Sequence, residues 1–174
     1  MYNILWDFDE TLGYREGGWY DTLYSLLKKN GIEESFGDKI KLFLSRKTNS
    51  GVTGFTWHNY EKTHEELFMG KTWYEYYENY FYGLFERGGI KEKTSKKLSK
   101  EMIKEYMDET KWFVYDDVKK ILKKLISFGY KNYIISNHVP ELHKIVENIG
   151  IRMYFEGIYS SGNIGLEKPN IKFH

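Results

Sequence analysis

Three short apolar runs occur along the chain, and polar residues follow each of them at once. The runs are 2–8 (YNILWDF), 130–137 (YKNYIISN) and 152–161 (RMYFEGIYSS). They are rich in aromatic and branched residues, which is typical of strands buried in a core. The polar residues at their ends are Asp7 and Asp9, Ser136 and Asn137, and Ser160 and Ser161.

Helical spacing of apolar residues separates these runs in the C-terminal part of the chain. The helical segments are 118–129 and 139–150, and we expect a further helix to begin within 169–174. Asp116 and Asp117 precede the first of them, where we expect them to cap the helix rather than to bind a metal. The alternation of strands and helices predicts right-handed crossovers and an α/β fold with a Rossmann-like parallel sheet.

Residues 17–110 have helical spacing and no strong strand pattern. The candidate helices are 19–29, 37–47, 72–88 and 95–110. An aromatic stripe runs along the third of these, and we expect it to form part of a helical core. The sequence therefore predicts an α/β core made of residues 1–16 and 111–174, with residues 17–110 inserted as an all-helical cap.

The composition narrows the classes of function. Hydrophobic residues make up 41% of the 174 residues, which is enough for a packed core. No apolar stretch approaches the roughly 18 residues of a membrane span. The formal net charge of +1 argues against binding to nucleic acid through charge. No cysteine is present, so disulfides and thiolate metal sites are excluded. We expect a cytoplasmic protein that binds neither nucleic acid nor membranes.

Asp7 and Asp9 bring two negative charges together at the end of the first predicted strand. In a strand, residues two apart share one face at roughly 7 Å, and Phe8 between them can be buried. The two carboxylates repel each other unless a cation lies between them or one is protonated. Both arrangements serve phosphoryl transfer. Mg²⁺ keeps Asp7 ionised as a nucleophile, and Asp9, held away from the metal, carries a proton to the leaving alkoxide.

Polar residues after the other strands are candidates for binding a phosphate group. Ser136 can donate to a phosphate oxygen, and Asn137 adds donors together with the amides that begin the next helix. Lys168 lies in the loop after the third strand and supplies a positive charge. Thr11 can brace the turn that carries Asp9, and we include it in the phosphate site. In a parallel sheet these strand ends meet at one crevice.

The residues at the three strand ends resemble the first three motifs of the haloacid dehalogenase superfamily, in the same order. The matching stretches are DFDET at 7–11, IISN at 134–137 and the Lys-Pro pair at 168–169. The resemblance covers roughly residues 1–14 and 112–174, whereas the cap matches only by position and helical character. The second aspartate of DFDET is typical of the phosphatases of the superfamily, because its dehalogenases lack that acid.

The resemblance implies a Mg²⁺-dependent phosphatase that acts on a small phosphorylated metabolite. It implies that Asp7 is both the nucleophile and a metal ligand. Asp9 would be the acid and base and would lend its backbone carbonyl to the metal. Ser136 and Lys168 would hold the phosphate.

One departure concerns the fourth motif of the superfamily, an acidic pair on a later strand that completes the magnesium site. Gly37 and Asp38 form the only Gly-Asp pair, and they lie in the helical insertion, where we expect a helix to begin. We expect the acidic pair in a segment beyond His174. We also expect that segment or a second chain to pair with the open edge of the strand at 2–8.

Several interpretations stay open at this point. His58, Glu61 and Glu65 could line one helix face as metal ligands, but the paired histidines of a zinc helix are missing, and we expect a solvated face. His138 and Arg15 are candidates for contact with the substrate, although a local hydrogen bond would equally explain His138. A phosphomutase of the same superfamily is an alternative to the phosphatase. A catalytically incomplete module that binds a phosphate ligand or a partner is another.

Overall fold

A computed structural model gives the structure of the chain and describes residues 2–48, 71–166 and 168. The predictions for His58, Glu61 and Glu65 and for a helix within 169–174 lie outside the described residues. The chain divides into two compact units. In the described residues these are 2–16, 71–73, 108–166 and 168 for the first, and 17–48 and 74–107 for the second.

The first unit is built on a parallel sheet with helical connections. Its strands are β1 (Asn3–Trp6), β4 (Lys131–Ser136) and β5 (Gly157–Ser160), and its helices are α5 (Val118–Ser127), α6 (Leu142–Asn148) and the short α7 (Ser161–Ile164). The strand order is β1–β4–β5, and both pairings are parallel. A two-stranded antiparallel ribbon joins β2 (Gly13–Arg15) to β3 (Trp112–Val114). The predicted α/β class with a Rossmann-like parallel sheet is confirmed.

The register of the sheet brings the carboxyl ends of the strands to one edge. Trp6 pairs with Ile134, and Ile134 pairs with Ile158. The residues that follow each strand are therefore neighbours in space. Helices α5 and α6 end at Ser127 and Asn148, and the predicted stop residues Gly129 and Gly150 follow two residues later with a positive φ.

The first strand differs from the prediction of a buried strand over 2–8. Strand β1 ends at Trp6, Leu5 is 51% exposed and Tyr2 is 76% exposed. The reason is its place in the sheet, because β1 is an edge strand among the described strands. Pairing of this edge with a further segment or a second chain stays a prediction.

Three other parts of the first unit differ from the sequence prediction. Arg152–Tyr154 is a single 3-10 turn, so the third strand begins only at Gly157. The β2–β3 ribbon was not predicted, because each of its strands has three residues and shows no alternating pattern. The helix α7 falls in a segment that reads as a loop.

The described residues between 17 and 107 form four helices. They are α1 (Gly18–Lys29), α2 (Glu34–Thr48), α3 (Lys71–Arg87) and α4 (Glu92–Tyr106). In the described part of this range there is no strand, in agreement with the prediction of a helical insertion. The buried side chains recur at helical spacing, for example at Leu23, Leu26 and Leu27, at Tyr77, Phe81 and Leu84, and at Leu98 and Met102. Among the described residues, no helix has the length and apolar character needed to cross a membrane.

Candidate active site

Asp7 follows β1 directly, and its carboxylate connects three separate segments of the chain. Oδ1 accepts a hydrogen bond from Ser136 Oγ at 2.7 Å and another from the backbone N–H of Phe8 at 2.8 Å. Oδ2 lies 2.7 Å from Nζ of Lys168. The Asp7 side chain remains 47% exposed, so it is open to a ligand. The structure thus brings together the predicted residues Asp7, Ser136 and Lys168.

The surroundings of Asp7 control its protonation. Partial burial alone would raise its pKa. Hydrogen bonds from Lys168, Ser136 and the Phe8 amide, together with the charge of Lys168, outweigh this and hold the pKa below its ordinary value of 3.8. Asp7 is therefore ionised at neutral pH, as an attacking oxygen must be.

Asn137 holds the backbone of Lys168 on both sides. Its Nδ2 donates to the Lys168 carbonyl at 3.1 Å, and the Lys168 N–H donates to its Oδ1 at 2.7 Å. The side chain was predicted to bind phosphate, and that role stays a prediction. In the structure the Asn137 amide fixes the backbone of Lys168, whose ammonium group contacts Asp7.

A tight turn over residues 8–13 places Asp9. The Phe8 carbonyl accepts hydrogen bonds from the backbone N–H groups of Thr11, Leu12 and Gly13 at 2.9 to 3.2 Å. Phe8 is fully buried, as predicted, whereas the Asp9 side chain is 44% exposed. Thr11 braces this turn through its backbone, and its contact with phosphate stays a prediction.

Asp9 has a different neighbour from Asp7. Its Oδ1 lies 3.3 Å from Nε2 of His138, which is on the loop after β4, two residues beyond Ser136. The His138 side chain is only 2% exposed. Its ring packs against Phe8 and Trp112, and contact between His138 and a substrate stays a prediction.

Arg15 lies on β2 and pairs in the ribbon with Trp112. Its Nη1 donates to the carbonyl of Glu16 at 3.4 Å. Contact between Arg15 and a substrate stays a prediction. Asp117 occupies the residue before α5 as predicted, but its side chain makes no capping hydrogen bond.

Ser160 and Ser161 form a polar network that the sequence did not assign. Ser160 Oγ lies within hydrogen-bond distance of the carbonyls of His138, at 2.6 Å, and Val139, at 2.7 Å. Ser161 Oγ accepts from the His138 N–H at 3.2 Å. Both serines are buried, so they fix the loop after β4 and do not face a ligand. The sequence shows that this strand ends in two serines, but it does not show whether their hydroxyls bind a ligand or fix a loop.

The donor groups at the strand ends fit a magnesium ion. In proteins Mg²⁺ is usually held by one or two carboxylates, and water and substrate phosphate oxygens fill its other positions. Asp7 offers one partly exposed carboxylate of this kind, and Asp9 would add its backbone carbonyl, which leaves the Asp9 carboxylate free to carry a proton. Within the described residues, no group of three or more His, Asp or Glu side chains could hold a metal ion. The fit therefore rests on the two aspartates.

The fold is similar to that of several solved structures. They include a HAD phosphatase from Thermococcus onnurineus, with 21% identity, a TM-score of 0.56, and coverage of 99% of this chain and 68% of that one. A protein from Thermotoga maritima with the provisional name β-phosphoglucomutase has 16% identity, a TM-score of 0.62, and coverage of 99% and 67%. A provisionally assigned HAD-hydrolase from Bacillus subtilis, bound to magnesium, has 15% identity, a TM-score of 0.60, and coverage of 99% and 70%.

The chain spans about two thirds of the length of these proteins. No curated protein sequence matches it significantly. A family model described as haloacid dehalogenase-like hydrolase matches residues 4–173, which is nearly the whole sequence. The chain belongs to the haloacid dehalogenase-like hydrolase family.

Proposed function

We propose that the chain carries the catalytic residues of a cytoplasmic, Mg²⁺-dependent phosphomonoesterase that acts on a small phosphorylated metabolite. The observation that supports this most is the junction at Asp7, where an ionised carboxylate meets Ser136 and Lys168. A carboxylate beside a hydroxyl donor and a cation suits attack on a phosphoryl group, whose oxygens need such partners.

The proposed reaction has two steps. In the first, an Asp7 oxygen bonds to phosphorus, the bond from phosphorus to the leaving oxygen breaks, and Asp9 gives that oxygen a proton. In the second, Asp9 removes a proton from water, the water oxygen bonds to phosphorus, and the bond to Asp7 breaks. Ser136 and Lys168 hold the phosphoryl oxygens throughout. A magnesium ion held by Asp7 and Asp9 would neutralise negative charge on the phosphoryl group.

Magnesium-dependent release of phosphate from p-nitrophenyl phosphate tests this proposal. We expect turnover that is lost on chelation with EDTA and in Asp7→Asn. Asp117→Asn is the matched control, because Asp117 is an exposed aspartate of the same unit without a capping hydrogen bond, and it should keep full activity. Turnover that survives in Asp7→Asn would exclude Asp7 as the nucleophile.

A phosphomutase is a second candidate, supported by the structural similarity to the Thermotoga maritima protein. The phosphoryl group on Asp7 would then pass to a sugar hydroxyl instead of water. Incubation with a sugar monophosphate separates the two. Release of inorganic phosphate identifies the phosphatase, and a shift of the phosphate between sugar positions identifies the mutase.

A further inference from the structure

His138 is a buried, polar side chain that the proposed mechanism does not use. It packs edge-on against Phe8, with ring centroids 5.2 Å apart, and against Trp112 at 4.9 Å. In the described part of the chain, neither ring nitrogen has a hydrogen-bond partner of good geometry. A buried imidazole in this condition is unfavourable unless some group offsets the loss of water.

Asp9 is the group that Nε2 of His138 approaches. The Nε2–Oδ1 distance of 3.3 Å is within reach of a hydrogen bond, although the two groups do not form one of good geometry. Catalytic hydrogen bonds are often long or poorly aligned without ligand and tighten when substrate binds. Alignment of the pair would come from rotation of Asp9, because the Asp9 side chain is partly exposed and the histidine is buried.

The backbone of His138 is fixed from the neighbouring strand end. Its carbonyl accepts from Gly162 N–H at 3.1 Å and contacts Ser160 Oγ, and its own N–H donates to Ser161 Oγ. A Cβ at Gly162 would lie 2.9 Å from that carbonyl, so only glycine permits the close approach. Hydrogen bonds to its backbone and aromatic contacts with its ring thus hold His138 in place.

We propose that His138 is a positioning residue that donates from Nε2–H to Oδ1 of Asp9 and fixes the orientation of this proton-transferring carboxylate. The inference rests on the proposed function, in which Asp9 protonates the leaving oxygen. His138 itself touches neither substrate nor metal. It affects catalysis only by orienting Asp9.

This role makes a specific kinetic prediction. An alkyl phosphate needs the Asp9 proton when its poor leaving group departs, whereas p-nitrophenolate leaves without one. Loss of the His138 donor should therefore lower kcat/KM much more for β-glycerophosphate than for p-nitrophenyl phosphate. The ratio kcat/KM is the appropriate measure because it depends on the steps up to departure of the leaving group and not on hydrolysis of the phosphorylated enzyme. Misplacement of a catalytic group can cost about 100-fold.

The variants are His138→Leu, which removes the donor, and His138→Gln, whose amide N–H reaches near the position of Nε2. His138→Leu should lose roughly 10- to 100-fold with the alkyl ester and only a few-fold with the nitrophenyl ester. His138→Gln should recover most of the difference. His143→Leu is the matched control on the exposed side of α6 and should change neither ester. Equal losses on both esters, or no loss on either, would contradict the proposal.

A measurement without turnover separates this inference from the proposed function. Long-range ¹H–¹⁵N spectra of histidine-labelled chain should show the proton of His138 on Nε2, and Asp9→Ala should shift that nitrogen more than Nδ1. If the unaltered chain hydrolyses neither ester while this shift occurs, the proposed function fails and the contact stands. If Nε2 carries no proton, or does not respond to Asp9→Ala, the positioning role is wrong, whatever the activity.

Discussion

Asp7 and Asp9 are separated by one residue but lie in different surroundings. Asp7 faces a hydroxyl, a backbone amide and an ammonium group, all within 2.8 Å of its oxygens. Asp9 faces a buried imidazole set among aromatic rings. The first set of partners favours a permanent negative charge, and the second offers one donor and little other polar contact.

This difference shows how one short motif can supply two kinds of chemistry. Catalytic pairs of carboxylates divide their roles when their environments differ. The parallel pairing of β1 with β4 gives Asp7 its partner Ser136, and the loop that continues from β4 gives Asp9 its partner His138. The end of β4 and the loop that follows it therefore serve both aspartates.

Removing the proton-carrying group should have the largest effect in this comparison. We expect Asp9→Asn to lower kcat/KM for β-glycerophosphate by about 10² to 10⁴-fold, since general acid catalysis contributes that much. The loss should be smaller for p-nitrophenyl phosphate. Steady-state kinetics with both esters provides the measurement, and Asp116→Asn, an exposed aspartate, is the control. An equal loss on both esters would assign Asp9 to binding rather than to proton transfer.

Removing the cation beside Asp7 should have the next largest effect. Lys168→Met removes a charge placed to hold phosphoryl oxygens, and we expect a loss of about 10² to 10³-fold in kcat/KM. The loss should be similar for both esters, because Lys168 acts on the phosphoryl group that they share. Lys144→Met, at an exposed lysine of α6, should leave the kinetics unchanged. A loss that depended on the leaving group would indicate that Lys168 acts on proton transfer, as Asp9 does, and not on the phosphoryl group.

The same variant should change the titration of Asp7. The pKa of Asp7 lies below 3.8 because contacts led by Lys168 outweigh burial, so Lys168→Met should raise it. Since the folded-state pKa is the lower one, the contacts of ionised Asp7 stabilise the fold above pH 3.8, and this contribution is lost as the pH falls through the folded-state pKa. Carboxyl ¹³C titration measures the pKa directly. An Asp7 pKa that stayed low in Lys168→Met would assign it to Ser136 and the Phe8 amide.

A moderate effect is expected from the residue that holds Lys168. Asn137→Ala removes both hydrogen bonds to the Lys168 backbone and should lower kcat/KM about 10-fold, through displacement of the ammonium. Asn148→Ala breaks a comparable side-chain bond to a backbone carbonyl, at Glu109, and serves as control. If Asn137→Ala equalled Lys168→Met in its effect, Asn137 would be a direct ligand of the phosphate, as the sequence suggested.

The smallest effect on catalysis should come from the buried hydroxyl of Ser160, whose loss we expect to lower the stability of the fold. Ser160→Ala removes a buried hydroxyl that lies within hydrogen-bond distance of the His138 and Val139 carbonyls, and it should lower the free energy of unfolding by about 0.5–1.5 kcal/mol. Urea denaturation measures this. Ser127→Ala, which loses one exposed hydrogen bond to Lys124, should change it by less than about 0.5 kcal/mol. Equal values for the two serines would show that the loop after β4 does not depend on Ser160.

The grouping of Asp7, Ser136 and Lys168 could be predicted because it follows from chain topology. Alternating strand and helix patterns imply a parallel sheet, and a parallel sheet places its strand ends at one edge. Polar residues that follow apolar runs are then neighbours, however far apart they are in sequence. The periodicity of apolar residues and the positions of turn residues are enough to predict this grouping, without knowledge of how the side chains pack.

The partner of Asp9 could not be predicted in the same way. Nothing in SNHVP distinguishes a histidine that faces a ligand from one buried beneath an aspartate, because that depends on the packing of Phe8 and Trp112. Trp112 lies on the three-residue strand β3, which has no pattern to detect. The exposure of β1 was missed for a related reason, since an apolar run does not show whether its strand is central or at an edge.

The central claim is that Asp7 attacks phosphorus, and trapping the phosphorylated enzyme tests it most directly. An acid quench during turnover, followed by borohydride reduction, converts an acyl phosphate to an alcohol that mass spectrometry can locate in a peptide. The account predicts homoserine at position 7 and at no other aspartate, with none in Asp7→Asn. Reduction at another residue, or turnover with no reduced residue under conditions that trap acyl phosphates, would contradict it.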